Sequence, residues 1–320
     1  MWYRVPVMKG SLKGRSLLTL ADITSEELVT LLDRADRVKT DSAAGKRPQR
    51  LSGYSIALIF EKRSTRTRCA FETAFGEEGG HVVFLSPQDI HLGVKETVED
   101  TARVLGRMFD CVEFRGFAQK TVEVLAETSG VPVYNGLTDE YHPTQILADL
   151  MTVREHFGTL SGKHIAYIGD GRNNVSNTLL IGCALAGVSC TIVCPPELQP
   201  DEALLARARE LGSSLSADLR IEHDPVAGVR GVDVVYTDVW VSMGEESQAS
   251  DRLALLEPYR VTSSLLSNAA AHAIFLHCLP AVKGNEVTEQ VFEGPQSRVF
   301  DQAENRKHTI RALILETLGL

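Results

Sequence analysis

What this chain lacks narrows the field before any motif is read. It holds no apolar stretch of about 18 residues, the length a membrane-spanning helix needs. No signal-peptide pattern opens it, so a cytoplasmic setting and no membrane partner are expected. Its six cysteines, at 69, 111, 183, 190, 194 and 278, form no CxxC pair. Cys190 and Cys194 sit in a strand-like run with no nearby histidine to complete a zinc set, so no metal site and buried free thiols in a reducing compartment are expected. A basic excess is also missing. The formal net charge is −9, which argues against nucleic acid as a partner. No internal repeat or low-complexity tract appears.

What is present is ordinary in bulk and specific in detail. Apolar content of 43% and charged content of 23% suit a globular protein, and 320 residues suggest about two domains. Short apolar runs near 55–60, 81–85, 110–114, 131–134, 164–169, 189–193, 219–222, 232–237 and 273–278 alternate with helical patterns such as Thr97–Met108, Gln119–Ser129, Asp201–Leu211 and Arg252–Leu256. Strand–helix alternation implies parallel sheets covered on both faces. The fold class expected is α/β: two doubly wound parallel-sheet domains joined by interdomain helices. The first domain is placed at 1–149 and the second at 150–303. Pro143 opens the bridging helix, and a last helix, about 304–320, packs back on the first domain. Lys46-Arg47-Pro48-Gln49-Arg50 reads as a solvated basic loop.

The densest signal is Phe60-Glu61-Lys62-Arg63-Ser64-Thr65-Arg66-Thr67-Arg68. It joins an apolar strand to a helix, and helix N-termini bind anions because their unpaired N–H groups and dipole point at the ligand. An ordinary cap needs one hydroxyl. Two hydroxyls and Arg66 in the first turn favour phosphate over a plain cap. Ligands of parallel sheets bind beyond the carboxyl ends of the strands. The polar residues found there are Ser64, Thr65, Arg66 and Thr67; Arg115; Asn135, His142 and Gln145; Asp170, Asn173 and Asn174; Asp238 and Ser242; and Cys278 with Leu279. The earlier set is cationic or donor-rich and the later set neutral or acidic. That asymmetry implies two small-molecule ligands of opposite charge, one bearing phosphate and one offering a cation to Asp238.

Ser64-Thr65-Arg66-Thr67, His142-Pro143-Thr144-Gln145 and His277-Cys278-Leu279-Pro280 resemble the signatures of the carbamoyltransferases, and Asp238-Val239-Trp240-Val241-Ser242-Met243-Gly244 resembles the amino-acid signature of their ornithine branch. The likeness runs from about Leu17 to the C-terminus. It implies transfer of a carbamoyl group from carbamoyl phosphate to L-ornithine, within arginine metabolism and without cofactor. It implies phosphate held by Ser64, Thr65, Arg66 and Thr67. Arg115 and His142 would polarise the carbamoyl oxygen, with Thr67 aiding. Gln145 and the Cys278 and Leu279 carbonyls would accept from the carbamoyl NH2, and Arg306 would be a further contact. Asn174, Asp238, Ser242 and Met243 would hold ornithine, with Cys278 near its side-chain amine. His91 would reach a neighbouring subunit's site, which implies a homo-oligomer, a trimer or a multiple of trimers. On the residues alone, His91 reads as a solvated loop histidine, His142 as a helix cap and Cys278 as a buried strand thiol. The polar stretch 244–250 is expected to close over bound ornithine.

Two rivals come from the same residues. Aspartate, putrescine or acetylated ornithine could replace ornithine as acceptor, but an aspartate site would need cations where Asp238 stands. Gly169-Asp170-Gly171-Arg172-Asn173-Asn174 could be a dinucleotide-binding turn, although Asn174 occupies the place of its third glycine.

Overall fold

A computed structural model describes residues 11–90, 95–241 and 249–320. His91, Ser242, Met243 and most of the expected closing stretch lie outside the described residues. The chain forms two compact units. Among the described residues, one comprises Ser11–Leu18, Asp22–Gly136 and Lys307–Leu320; the other comprises Thr19–Ala21 and Leu137–Arg306. Each is an α/β unit built on a parallel sheet, the fold class expected.

The first unit contains α1 (Ser25–Ala43), β1 (Ser55–Phe60), α2 (Thr65–Gly76), β2 (His81–Leu85), α3 (Val98–Met108), β3 (Cys111–Arg115), α4 (Gln119–Ser129) and nearly all of β4 (Val133–Leu137). Its sheet order is β2-β1-β3-β4. β1 is flanked by parallel partners, with Phe60 opposite Arg115, and every residue from Ile56 to Phe60 is buried. A strand with neighbours on both sides and helices above and below has no polar face, which is why it reads as a continuous apolar run. Ile59, Val112, Phe114, Val122 and Leu125 form the core beneath it.

The second unit contains α5 (Pro143–Phe157), β5 (His164–Ile168), α6 (Asn174–Ala186), β6 (Ser189–Val193), α7 (Glu202–Leu211), β7 (Leu219–Glu222), α8 (Pro225–Val229), β8 (Val234–Thr237), α9 (Ala249–Leu256), α10 (Ser263–Leu266), β9 (Ile274–His277) and α11 (Glu289–Phe292). α12 (Val299–Leu318) begins in this unit, and from Lys307 onward it belongs to the first. The sheet order is β7-β6-β5-β8-β9, all parallel. Ile168 pairs with Thr237 and Thr237 with His277, so three strands end in register. The residues that follow them, Gly169, Asp238 and Cys278, therefore emerge side by side at the carboxyl edge. Their place in the sequence makes them neighbours.

Local chemistry sets the boundaries. Thr24 and Glu27 form a reciprocal capping box at α1. Pro143 occupies the first turn of α5, and Gly158 ends it in the left-handed region at φ 75. All nine expected strands are found. β4 runs two or three residues later than expected and takes in Asn135, a candidate site residue. The Asn135 amide donates to the Leu18 carbonyl and to Gln119 Oε1, so it is spent inside the first unit. Two other expectations need correction. Cys69 is exposed on α2, not buried. Arg50 is half-buried and ion-paired with buried Glu78, so the basic loop is anchored at its end.

Candidate active site

In the first unit, β1 delivers the chain to the N-terminus of α2. Ser64 is the cap, its hydroxyl accepting from the Thr67 N–H at 3.2 Å. Thr65 is exposed, Arg66 half-buried and Thr67 fully buried. Arg115, the last residue of β3, is buried and donates through Nη1 to Thr67 Oγ1 at 3.1 Å. The register that sets Arg115 opposite Phe60 explains this contact between residues 48 positions apart. Two guanidiniums, three hydroxyls and a helix N-terminus are thus concentrated where two strands end. Such a set attracts a phosphate dianion.

In the second unit, His142 is the buried N-cap residue of α5. Its side chain makes no capping bond; its backbone N–H donates to Thr178 Oγ1 at 2.8 Å. The imidazole therefore does not serve as a plain helix cap. Gln145, in the first turn, is also buried. Its Nε2 donates to Asp149 Oδ1 at 2.8 Å, while its Oε1 makes no hydrogen bond among the described residues. Arg306 is buried on α12; burial raises the Asp149 carboxyl, and the Arg306 charge acts against that rise.

Asp238 follows β8 and is buried. Its Oδ1 accepts from the Val239 N–H and from the Cys278 thiol, each at 2.8 Å. Burial pushes the Asp238 carboxyl up from its ordinary range, while the hydrogen bonds from the thiol and the Val239 N–H pull against that rise. His277 accepts from the Leu279 N–H at Nδ1, which leaves Nε2 to carry the proton toward buried Glu286 at 3.2 Å. Leu279 itself sits at φ 62, an uncommon conformation for a side chain branched beyond Cβ, and the bond to His277 holds it there. Asn174 opens α6 and donates to the Thr138 carbonyl at 2.7 Å, leaving its amide oxygen as the group it can offer.

Asp238, His277 and Cys278 hold their ligand atoms within 4.8 Å of one another, the spacing of a metal site. Both His277 nitrogens and the thiol proton are nevertheless committed to hydrogen bonds within the unit, so a metal would have to displace all three. The dinucleotide turn is also closed off. Asp170 pairs with Arg252, and a Cβ at Gly171 would lie 2.7 Å from the Leu198 carbonyl, so that glycine serves packing against protein.

Asp149, Gln302 and Glu286 escaped the sequence reading. Asp149 stands one helical turn after Gln145, a spacing that brings side chains together and is visible in the sequence. Gln302 stands one helical turn before Arg306, the further contact that the family likeness implies. Glu286 had no signal beyond its charge.

Comparison with known proteins decides the family. The sequence model for the aspartate/ornithine carbamoyltransferase carbamoyl-P binding domain matches residues 15–155, and that for the Asp/Orn binding domain matches 161–317. This chain belongs to the aspartate/ornithine carbamoyltransferase family. An ornithine carbamoyltransferase from Caldanaerobacter subterraneus subsp. tengcongensis is 59% identical over 97% of this chain and 100% of its own. A catabolic ornithine carbamoyltransferase from Bacillus licheniformis is 50% identical over 97% and 98%. Among solved structures, ornithine carbamoyltransferase from Pyrococcus furiosus superposes with a TM-score of 0.94 at 43% identity, covering 97% of this chain and 98% of its own. The anabolic ornithine carbamoyltransferase from Campylobacter jejuni gives 0.88 at 37% identity, covering 94% and 97%. Family and relatives make this chain a carbamoyl-transferring enzyme. No helix among the described residues is long and apolar enough to cross a membrane.

Proposed function

We propose that the enzyme converts carbamoyl phosphate and L-ornithine to L-citrulline and phosphate. The observation that carries the acceptor choice is the buried Asp238 carboxylate, held at the end of β8 by Cys278 and the Val239 N–H. It offers an amino-acid cation a partner, where an aspartate acceptor would meet repulsion. The carbamoyl-phosphate half is assigned to 1–149, with the helix of about 304–320, and the ornithine half to 150–303.

Ser64, Thr65, Arg66 and Thr67 bind the phosphate. Arg115 and His142 donate to the carbamoyl oxygen, which gains charge as the amine attacks; donors already in place lower that barrier. Gln145 and the Cys278 and Leu279 carbonyls accept from the carbamoyl NH2, and Arg306 adds a further contact. Asp238 pairs with the ornithine α-ammonium, and Asn174, Ser242 and Met243 hold the amino-acid end. The neutral side-chain amine forms the new N–C bond. The C–O bond to phosphate breaks, and the departing phosphate takes the amine proton. Because the donor is already activated, orientation and charge stabilisation by protein groups suffice. A homotrimer with His91 reaching the next subunit, a cytoplasmic setting and a role in arginine metabolism rest on the family likeness.

A citrulline assay with ornithine, aspartate, putrescine and acetylornithine tests the reading, with solution mass testing the trimer. Ornithine is expected to be the preferred acceptor; faster turnover of putrescine would overturn the assignment.

A further inference from the structure

One buried carboxylate in the second unit has no role in the scheme above. Asp149 is fully buried on α5. Two carboxamides donate to its Oδ1: Gln145 Nε2 at 2.8 Å and Gln302 Nε2 at 2.7 Å. Gln302 in turn accepts at Oε1 from the His277 N–H at 2.9 Å, just before Cys278 and Leu279. A carboxamide has one donating and one accepting end, whereas an ionised carboxylate only accepts. Facing Asp149, each glutamine must present its NH2 group. The orientation of Gln302 is fixed twice over, because the His277 N–H requires the amide oxygen at its other end. Gln145 must therefore turn its Oε1 away from Asp149, and that buried oxygen finds no protein donor among the described residues.

We propose that Asp149 is a positioning residue that selects a carbamoyl over an acyl donor by locking the Gln145 amide oxygen toward the substrate NH2. This rests on the reading of Gln145 as the acceptor for that NH2. The NH2 is what separates carbamoyl phosphate from acetyl phosphate, which carries a methyl there and is otherwise matched in phosphate and carbonyl. A site that leaves a buried acceptor unpaired rejects the analogue lacking the donor.

Asn at 149 has the same shape but tolerates either orientation of a facing amide. Asp149→Asn is therefore expected to weaken carbamoyl phosphate about tenfold, read as KM or a dissociation constant, while inhibition by acetyl phosphate and the KM for ornithine stay within about twofold. Combined with Gln145→Ala, it should remove no further preference, because Asp149 acts through Gln145. Equal weakening of carbamoyl and acetyl phosphate would show a merely structural residue and overturn the proposal, as would an unchanged variant.

If Asp149→Asn does not fold, the unaltered enzyme carries the test. Burial raises the Asp149 carboxyl to about 6, against hydrogen bonds from Gln302 and Gln145 and the charge of Arg306. The other titratable groups facing it, Tyr236 on β8 and Cys183 on α6, are both pushed well above their ordinary values by burial. Below about 6 Asp149 becomes a donor and frees Gln145 to turn. The ratio of acetyl phosphate to carbamoyl phosphate dissociation constants is expected to shrink between about pH 8 and about pH 5, with the shared phosphate titration cancelling. A constant ratio overturns the proposal. An enzyme that makes no citrulline at all would instead overturn the function proposed above, so the two failures are distinguishable.

Discussion

The Cys278 thiol donates to the Asp238 carboxylate across 2.8 Å, joining the ends of two strands that lie side by side in the second sheet. Burial raises the Asp238 pKa and the thiol holds part of that rise back. Cys278→Ala removes the donor, so the Asp238 pKa moves further up. Because the ionised carboxylate is the form that pairs with a cation, the acid limb of kcat/KM for ornithine is expected to shift to higher pH. One hydrogen bond to a charged group is worth roughly 1.5 kcal/mol, or about tenfold in the KM for ornithine. An acid limb that stays in place would show that the thiol does not tune Asp238.

Arg115 and Thr67 meet at 3.1 Å beneath the first turn of α2. A lysine at 115 keeps the charge but loses the planar fork that serves Thr67 and the carbamoyl oxygen together. Arg115→Lys is expected to lower kcat about a hundredfold, the scale of one lost oxyanion donor. Inhibition by inorganic phosphate should change far less, because Ser64, Thr65 and Arg66 remain. A large loss of phosphate affinity with kcat intact would assign Arg115 to binding instead.

Glu78 ties the first unit together. Its carboxylate receives Arg50 Nε at 2.9 Å and is also paired with Arg311 of α12. Burial pushes the Glu78 carboxyl up, but hydrogen bonds and charge from Arg50 and Arg311 outweigh it, so the net shift is downward. A carboxylate with a lowered folded pKa adds stability that is fully present above its unfolded value and is lost as pH falls through the folded one. Glu78→Gln should therefore flatten the acid side of the stability–pH curve. Removing one partner of a buried ion pair costs about 3–5 kcal/mol at neutral pH. Urea unfolding at several pH values reads both effects, and an acid limb as steep as the parent's would exclude Glu78 as its source.

The sheets were legible because buried parallel strands are short continuous apolar runs, as Ser55–Phe60 and Ser189–Val193 show. The candidate site followed from the same fact, since register places the residues after Phe60, Thr237 and His277 at one edge of each sheet. β4 was placed early, ending before the polar Asn135, yet the Asn135 amide is satisfied by Leu18 and Gln119, partners far away in sequence. Asp149 was missed for a related reason. A carboxylate on a helix is expected to be solvated, and its burial becomes tolerable when Gln302, on another helix, joins Gln145 in donating to it. Arg50 looked solvated until Glu78 was placed beside it. In each case the deciding partner was a polar residue distant in sequence, for which hydrophobic periodicity carries no signal.

The packing of α3 against α4 supplies a final prediction. Gly106 on α3 lies so close to the end of α4 that a Cβ built there would stand 1.8 Å from the Ser129 carbonyl oxygen. The obstacle is backbone, so no side chain can rotate away and the helices themselves would have to separate. That separation would loosen Leu105, Val122 and Leu125 in the core below. Gly106→Ala is expected to destabilise the protein by about 2–3 kcal/mol, the cost of overpacking. Gly76 on α2 is the control, because a Cβ there meets nothing within 4 Å. Gly76→Ala should be neutral or stabilise by up to about 1 kcal/mol through reduced chain entropy in the unfolded state. Urea midpoints for the two variants should move in opposite directions, and a Gly106→Ala midpoint equal to the parent's would mean the two helices are not in close contact.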